Sequence, residues 1–316
     1  NSSLTGNFDI FYEKRDNILT NYLTRPWWFG VTSAAGNLGE TKNKGFEIEI
    51  RYNKQVTKDF SFNVGGTFSH AKNEITFMDE PALKTDYRRE QGHPIKQFFG
   101  LVCDGFVTSA DLANPDFPKS TYGDVQVGDL KYRDMNKDGF IDDRDVTAIG
   151  LTDLPENTFA INFGAQWKGL SLSVMFQGVD HVSRYYDAEA MYAFVNGGKV
   201  KEHHLDRWNP ALSEQQNLAN AKYPLLHYDA AGNHNQRQGS FFLKNGSFIR
   251  LKNVEVAYSL PQSWIKHAFM TECRFFVNAN NLITWDHLDG LTDPESSGSN
   301  KYPICKTVNF GVNIQF

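Results

Sequence analysis

No segment of this 316-residue chain is long and apolar enough to cross a bilayer as a helix: runs of 18 or more apolar residues are missing, and mean hydropathy is -0.49. Helical membrane proteins are excluded. A basic excess is also missing, because 37 acidic side chains outnumber 32 basic ones for a net charge of -5, which leaves no electrostatic footprint for nucleic acid. Cysteine is scarce: Cys103, Cys273 and Cys305 are odd in number, show no CxxC spacing and cannot complete a disulfide framework. No role is assigned to them. Catalytic signatures are missing as well, with no GxSxG and no HExxH, and the adjacent side chains of His203 and His204 diverge too far to share one metal easily. The chain opens Asn1-Ser2-Ser3 without Met or a basic-then-apolar leader, so any export signal is expected upstream or already removed.

Aromatic residues are plentiful at 14%, and with 25 Gly they lean the composition toward β structure. Five windows alternate apolar with polar residues, the mark of a strand with one greasy and one wet face. These are 46–52, 60–68, 161–167, 170–176 and 308–316; on one face 21 of 22 positions are apolar, with Gly66 the exception, and on the other Met175 alone is apolar. That contrast predicts five strands directly. Segments near the start (SLTGNFDIFY), at 248–258 and at 273–283 add three more, and a phase slip between Leu251 and Val254 predicts a bulge near Asn253.

Connections alternate between tight (55–59, 168–169), medium (259–272) and dozens of residues long. Short on one side and long on the other describes a transmembrane β-barrel. Aromatics hold seven of the ten end positions of the apolar stripes (Phe46, Tyr52, Phe60, Phe68, Trp167, Phe176, Phe316) against three of twelve inside, the placement of interfacial girdles. The competing reading is a secreted, calcium-stabilised β-sandwich that binds carbohydrate; its alternating strands would be covered by a second sheet. An enzyme such as a β-rich glycan hydrolase ranks third, for want of a matched carboxylate pair.

Residues 134–145 read DMNKDGFIDDRD. With Asp134 at position 1, Asn136 falls at 3, Asp138 at 5, Gly139 at 6, the Phe140 carbonyl at 7, Asp142 at 9 and Asp145 at 12, the ligand order of a calcium loop built from hard oxygen donors. Asp145 replaces the usual bidentate Glu, and its shorter arm either weakens the grip or tightens the loop. The flanks do not form long amphipathic helices, so structural calcium is expected rather than signalling. The plainer alternative is a solvated acidic turn.

Eight strings in order resemble one family: NKGFEIEI (43–50), GHPIKQFFGLVCDGF (92–106), GDLKYRDMNKDGFIDDRDVTAIG (128–150), DRWNP (206–210), SFIRLKNVEVAYSLP (247–261), FFVNANNLITW (275–285), DPESS (293–297) and the closing YP...F. The family is the SusC/RagA-like TonB-dependent outer-membrane transporters of Bacteroidetes, in their C-terminal barrel region. The resemblance implies an all-β, C-terminal part of about eight to ten antiparallel strands from a 22-stranded barrel. Residues 1–316 would be that portion, with an extracellular calcium-loop-like insertion at 128–150 and with the plug domain, the TonB-engaging segment and the N-terminal strands absent. Phe316 closing an alternating strand resembles the signal read by the barrel-assembly machinery.

Parity from a periplasmic Phe316 makes the connections 285–306, 179–246 and 69–158 extracellular, and 259–272 and 168–169 periplasmic. The strand-like 98–107 must then find an even partner, for which 128–132 is the candidate. The resemblance further implies import of an oligomeric nutrient, glycan or peptide, with a SusD-like surface lipoprotein as lid, TonB as the energy source, outer-membrane lipid around the wall and a dimer of transporter–lipoprotein pairs as one assembly. Loop aromatics that could stack on sugar faces are Trp27, Trp28, Tyr185, Tyr186, Trp208 and Trp285, weighed against girdle or loop-core roles.

Overall fold

The computed structural model describes residues 3–24, 28, 30, 34–81, 84–186, 191–195, 198–228, 233–296 and 302–316, which leaves Trp27 outside. Eight strands form one antiparallel sheet in chain order: β1 (Leu4–Asn21), β2 (Ala35–Gln55), β3 (Phe60–Phe77), β4 (Asn157–Trp167), β5 (Leu170–Asp180), β6 (Phe248–Ser259), β7 (Glu272–Asp286) and β8 (Thr307–Gln315). Each pairs with its sequence neighbours, so β1 and β8 are the sheet's two edges.

The register explains why alternation was so clean. One row across all eight strands reads Leu4, Tyr52, Val64, Phe163, Val174, Val254, Ala279 and Val308. The adjacent row on the opposite face reads Thr5, Arg51, Gly65, Asn162, Met175, Asn253, Asn280 and Thr307. Because side chains alternate at period 2, a one-residue slip in any strand would mix the two rows. The apolar face is uncovered: Val308, Phe310, Val312 and Ile314 are 52%, 79%, 47% and 48% exposed. Among the described residues no second sheet packs on it, which removes the sandwich reading.

The expected bulge is present. Pairing steps from Met175–Asn253 to Phe176–Leu251, so Lys252 is skipped and the apolar face resumes at Leu251. In the turn between β4 and β5, Lys168 (φ 46) and Gly169 (φ 87) both adopt positive φ, the backbone a two-residue hairpin requires. The strands outrun their apolar stripes: β2 and β3 extend to Ala35 and Phe77 at the long-loop end. There Lys42, Lys44, His70, Lys72 and Glu74 replace the apolar stripe, so alternation carries no signal.

Three glycines accept rings from the neighbouring strand. A Cβ at Gly45, Gly178 or Gly311 would overlap the ring of Phe11, Phe159 or Phe276, each its register partner. Phe11 and Phe276 stand on the otherwise polar face, and the missing side chain opposite gives each ring a backbone surface to lie on.

The connections at one end, 56–59, 168–169 and 260–271, are short, and those at the other, 78–156 and 181–247, carry the buried core. That core joins Leu101, Leu130, Tyr132, Ile141, Tyr186, Met191, Tyr223, Phe242 and Leu288 from three connections. Inside it Cys103–Phe106 pairs antiparallel with Leu130–Tyr132, the partner that parity demanded, and Phe99–Gly100 pairs with Thr147–Ala148.

Candidate functional site: a polar wall beneath a folded loop cap

The cap is stitched by backbone as much as by side chains. Leu101 N donates to Gln238 O (2.9 Å), Ser240 N to Leu101 O (2.9 Å) and Leu225 N to Gly128 O (2.8 Å), joining the two long connections. At its centre Asp129, 1% exposed, receives the Asn235 amide (2.8 Å) and lies 2.6 Å from His227 Nε2, while its other oxygen accepts from Gln126 N (2.7 Å). A buried carboxylate this well surrounded avoids the desolvation penalty of an unpaired charge. His234 bridges Leu130 O (2.6 Å) and Ser120 Oγ (2.8 Å), and burial holds it below its usual value; burial does the same to His204. Desolvation pushes the Cys103 thiol up to about 11 and raises the Tyr122 phenol, which also donates to Asp143 (2.6 Å).

The third long connection is tied to the wall by charge. Arg250 on the polar face of β6 reaches Asp293 and Glu295, and Lys252 Nζ adds bonds of 2.9 and 3.0 Å to Glu295. Two of the ordered family strings, 247–261 and 293–297, thus meet across this clamp.

Beneath the cap, the polar face is a ladder of amides and ion pairs: Asn309 to Asn278 (2.9 Å), Asn253 to Asn280 (2.6 Å), Ser69 to Glu47 (3.1 Å), and Arg274 to Glu255. A cleft of about 290 Å³ opens where 94–95 and 152–156 lie against β1 to β3, with Glu13, Arg15, Asn43 and Asn73 in its wall. Ile95 N donates to Asn73 Oδ1 (2.7 Å) and sets the cleft's roof. Convergent amides and opposite charges suit a polar, hydrogen-bonding ligand or chain segment.

The structure does not gather the predicted aromatics into one site. Tyr186, 0% exposed, donates to Leu288 O (2.6 Å), and Trp208, 3% exposed, packs edge-on against Phe106. Both are corrected to core residues, since no face is left for a ligand. Tyr185 is half-buried beside Phe98, and Trp285 stacks on Phe176 on the apolar face as a girdle residue. Trp28 is exposed.

Residues 134–145 form a tight turn closed by their own side chains on backbone N–H groups. Asp134 accepts from Lys137 N (2.6 Å) and Gly139 N (2.8 Å), Asn136 from Asp138 N (3.0 Å), Asp138 from Phe140 N (3.0 Å) and Asp142 from Arg144 N (2.7 Å), with Gly139 at φ 82. Asp145, fully buried, accepts from Met135 N (2.8 Å) and Asp142 N (2.9 Å). The Arg144 guanidinium bridges Asp138 (2.8 Å) and Asp142 (2.7 Å), and it holds the Asp142 carboxyl below the usual range. Among the described residues no three His, Cys, Asp or Glu side chains converge as a metal centre does. The donor set and the turn fit a hard cation; Arg144 now neutralises two of its carboxylates.

Sequence reasoning missed Arg144 as an internal counter-ion, and with it Asp129, His234, Asn235 and Arg250.

A single sheet with an open apolar face, a polar opposite face, short turns at one end and a folded cap at the other is a section of transmembrane β-barrel wall. The chain belongs to the TonB dependent receptor-like, beta-barrel family, whose profile matches residues 1–282. It is 25% identical over 98% of its length to TonB-dependent receptor P3 of Formosa agariphila, covering 32% of that protein. It is 24% identical over its whole length to TonB-dependent receptor SusC of Bacteroides thetaiotaomicron, covering 30% of it. Among solved structures, the RagAB peptide importer in its open-open state superposes with a TM-score of 0.73 at 22% identity, covering all of this chain and 33% of that one. The chain thus spans about a third of the length of these relatives. They are named as receptors and an importer, not as enzymes.

Proposed function

We propose that this chain forms part of the wall and outer cap of a TonB-dependent importer of oligomeric nutrients, glycan oligosaccharides or oligopeptides, in the outer membrane. The observation that carries the reading is the paired rows of the sheet: an apolar row open to lipid and a polar row beneath a folded cap. The long connections face the exterior and the C-terminus the periplasm; a SusD-like lipoprotein covers the cap, and TonB acts through N-terminal parts of the full protein. Ligand would meet the polar wall and the cleft around Glu13, Arg15, Asn43 and Asn73. Residues 134–145 hold structural calcium, with Asp134, Asn136, Asp138, the Phe140 carbonyl, Asp142 and Asp145 as ligands once Arg144 swings aside.

Disrupting the full-length gene and measuring growth on oligosaccharides or peptides as sole nutrient tests the import reading. Loss on one class identifies the cargo; undiminished growth on every oligomer, with uptake unchanged, rejects import. In a Cys305→Ser background, a cysteine introduced at position 211 should label on intact cells and one at 58 should not.

A further inference from the structure

We propose that the connection 260–271 is an inner-leaflet membrane anchor: it folds back beside the lipid-facing side of the sheet and seats Trp264 and Phe269 among the headgroups of anionic phospholipid. This rests on the lipid-facing wall and the orientation proposed above. Lys168 and Gly169 suffice to join β4 to β5, and an antiparallel pair demands no more. Between β6 and β7 the chain instead builds a helical turn at Gln262–Ile265 that runs on into a tighter one at Lys266–Ala268. Burial shows where it lies. On the apolar side of β7, Phe275 and Val277 are 47% and 39% exposed, but Cys273 only 5%. Its register partner Ile314 is open, so the cover comes from the other side, where the helical turn lies against β7. Ile265, 2% exposed, is the buried residue of that turn. The polar side of β7 offers it Glu272 and Arg274; the apolar side offers Cys273 and Leu260, joined by Leu260 N donating to Cys273 O (2.9 Å). An aliphatic side chain buries against the second pair.

What the fold-back leaves open is aromatic. Trp264 is 67% exposed and Phe269 88%. At helical spacing Trp264, Ile265 and Ala268 share one side, and Gln262, Ser263, Lys266 and His267 the other, the segregation of a helix that lies in a membrane surface. Phe269 holds φ 57, a left-handed conformation that a bulky side chain resists, and the strain turns its ring outward. Exposed to water alone, that ring gains nothing for the strain; at a bilayer surface it leaves water. Thr271 N donates to Gln315 O (2.7 Å) and fixes the turn beside the end of β8, where Phe316 adds a third open ring continuous with Val312 and Ile314. Charge selects the lipid: residues 256–271 contain no Asp or Glu, and Lys266 and His267 are both exposed. The Lys266 ammonium can donate charge-assisted hydrogen bonds to a lipid phosphate while the rings sit at the acyl boundary.

The test places the photo-crosslinking residue p-benzoylphenylalanine at position 269 of the full-length receptor, and separately at 174 and 162, in vesicles of equal parts phosphatidylglycerol and phosphatidylethanolamine. Mass spectrometry reads the adducts. Positions 269 and 174 should capture lipid, and 162, on the polar face, none. Lipid captured at 174 but not at 269, or capture at 269 of the receptor's own chain alone, overturns the anchor and leaves the wall standing. Lipid at neither position rejects the lipid-facing wall and the anchor together. With Lys266→Gln, the ratio of phosphatidylglycerol to phosphatidylethanolamine captured at 269 should fall about fivefold, the effect of one charge at a membrane surface, and Lys266→Arg should keep it. A ratio unmoved by Lys266→Gln overturns the headgroup assignment. Labelling on intact cells at 58 rather than 211 overturns the inner-leaflet placement.

Discussion

Arg250 Nη2 donates to both carboxylate oxygens of Asp293 at 2.8 Å, while its Nη1 donates to Glu295 at 2.6 Å, and the guanidinium is 1% exposed. A strand of the wall and a segment of the cap are thereby locked by one side chain. Removing one partner leaves a buried charge uncompensated, so Arg250→Ala should cost about 3 kcal/mol and Asp293→Asn less. Limited proteolysis around 287–296 should accelerate in both variants while the barrel keeps its heat-dependent gel mobility.

Acid should loosen the cap before it touches the wall. His234 is held neutral by burial, so its folded value lies below 6.5 and the unfolded chain binds the proton more readily. Its contribution is present above 6.5 and is lost as pH falls from there through the folded value. Hydrogen exchange at 129–133 should rise over that window in wild type and vary less with pH in His234→Gln.

Calcium should compete with Arg144. Calorimetry on the full-length receptor is expected to give tighter binding for Arg144→Gln than for wild type, and roughly tenfold weaker binding for Asp138→Ala. Identical heats with and without the loop acids would reject the site.

The two faces should answer differently to the same charge. Val174→Arg, mid-band on the apolar face, should destabilise the barrel by roughly 2–4 kcal/mol in lipid, and Asn162→Arg on the polar face far less. Denaturant refolding into liposomes measures both.

Thiol chemistry separates cap from surface. At pH 8 a thiol lifted to about 11 is ionised only on the order of one part in a thousand, so Cys103 should resist iodoacetamide while exposed Cys305 reacts.

How far the sequence spoke depended on periodicity. Rows such as Val64–Phe163–Val174 follow from alternation alone, because lipid on one face and polar contact on the other impose a two-residue code. The slip at Lys252 was legible for the same reason. Where strands run past the apolar band, and where Tyr186 and Trp208 pack among irregular loops, no period exists, and aromatic composition pointed to ligand contact for side chains that are core. Asp129 and Arg250 escaped notice because their buried hydrogen bonds depend on residues 43 to 106 positions apart.

The outermost strands, β1 and β8, each present a bare ladder of amides and carbonyls along one side. Hydrocarbon offers those groups no substitute bonds, so a wall of this kind is adhesive at both margins until a neighbouring strand arrives. Isolated from its companions, the segment would zip to copies of itself, which makes the order in which strands are delivered to the membrane as consequential as their composition.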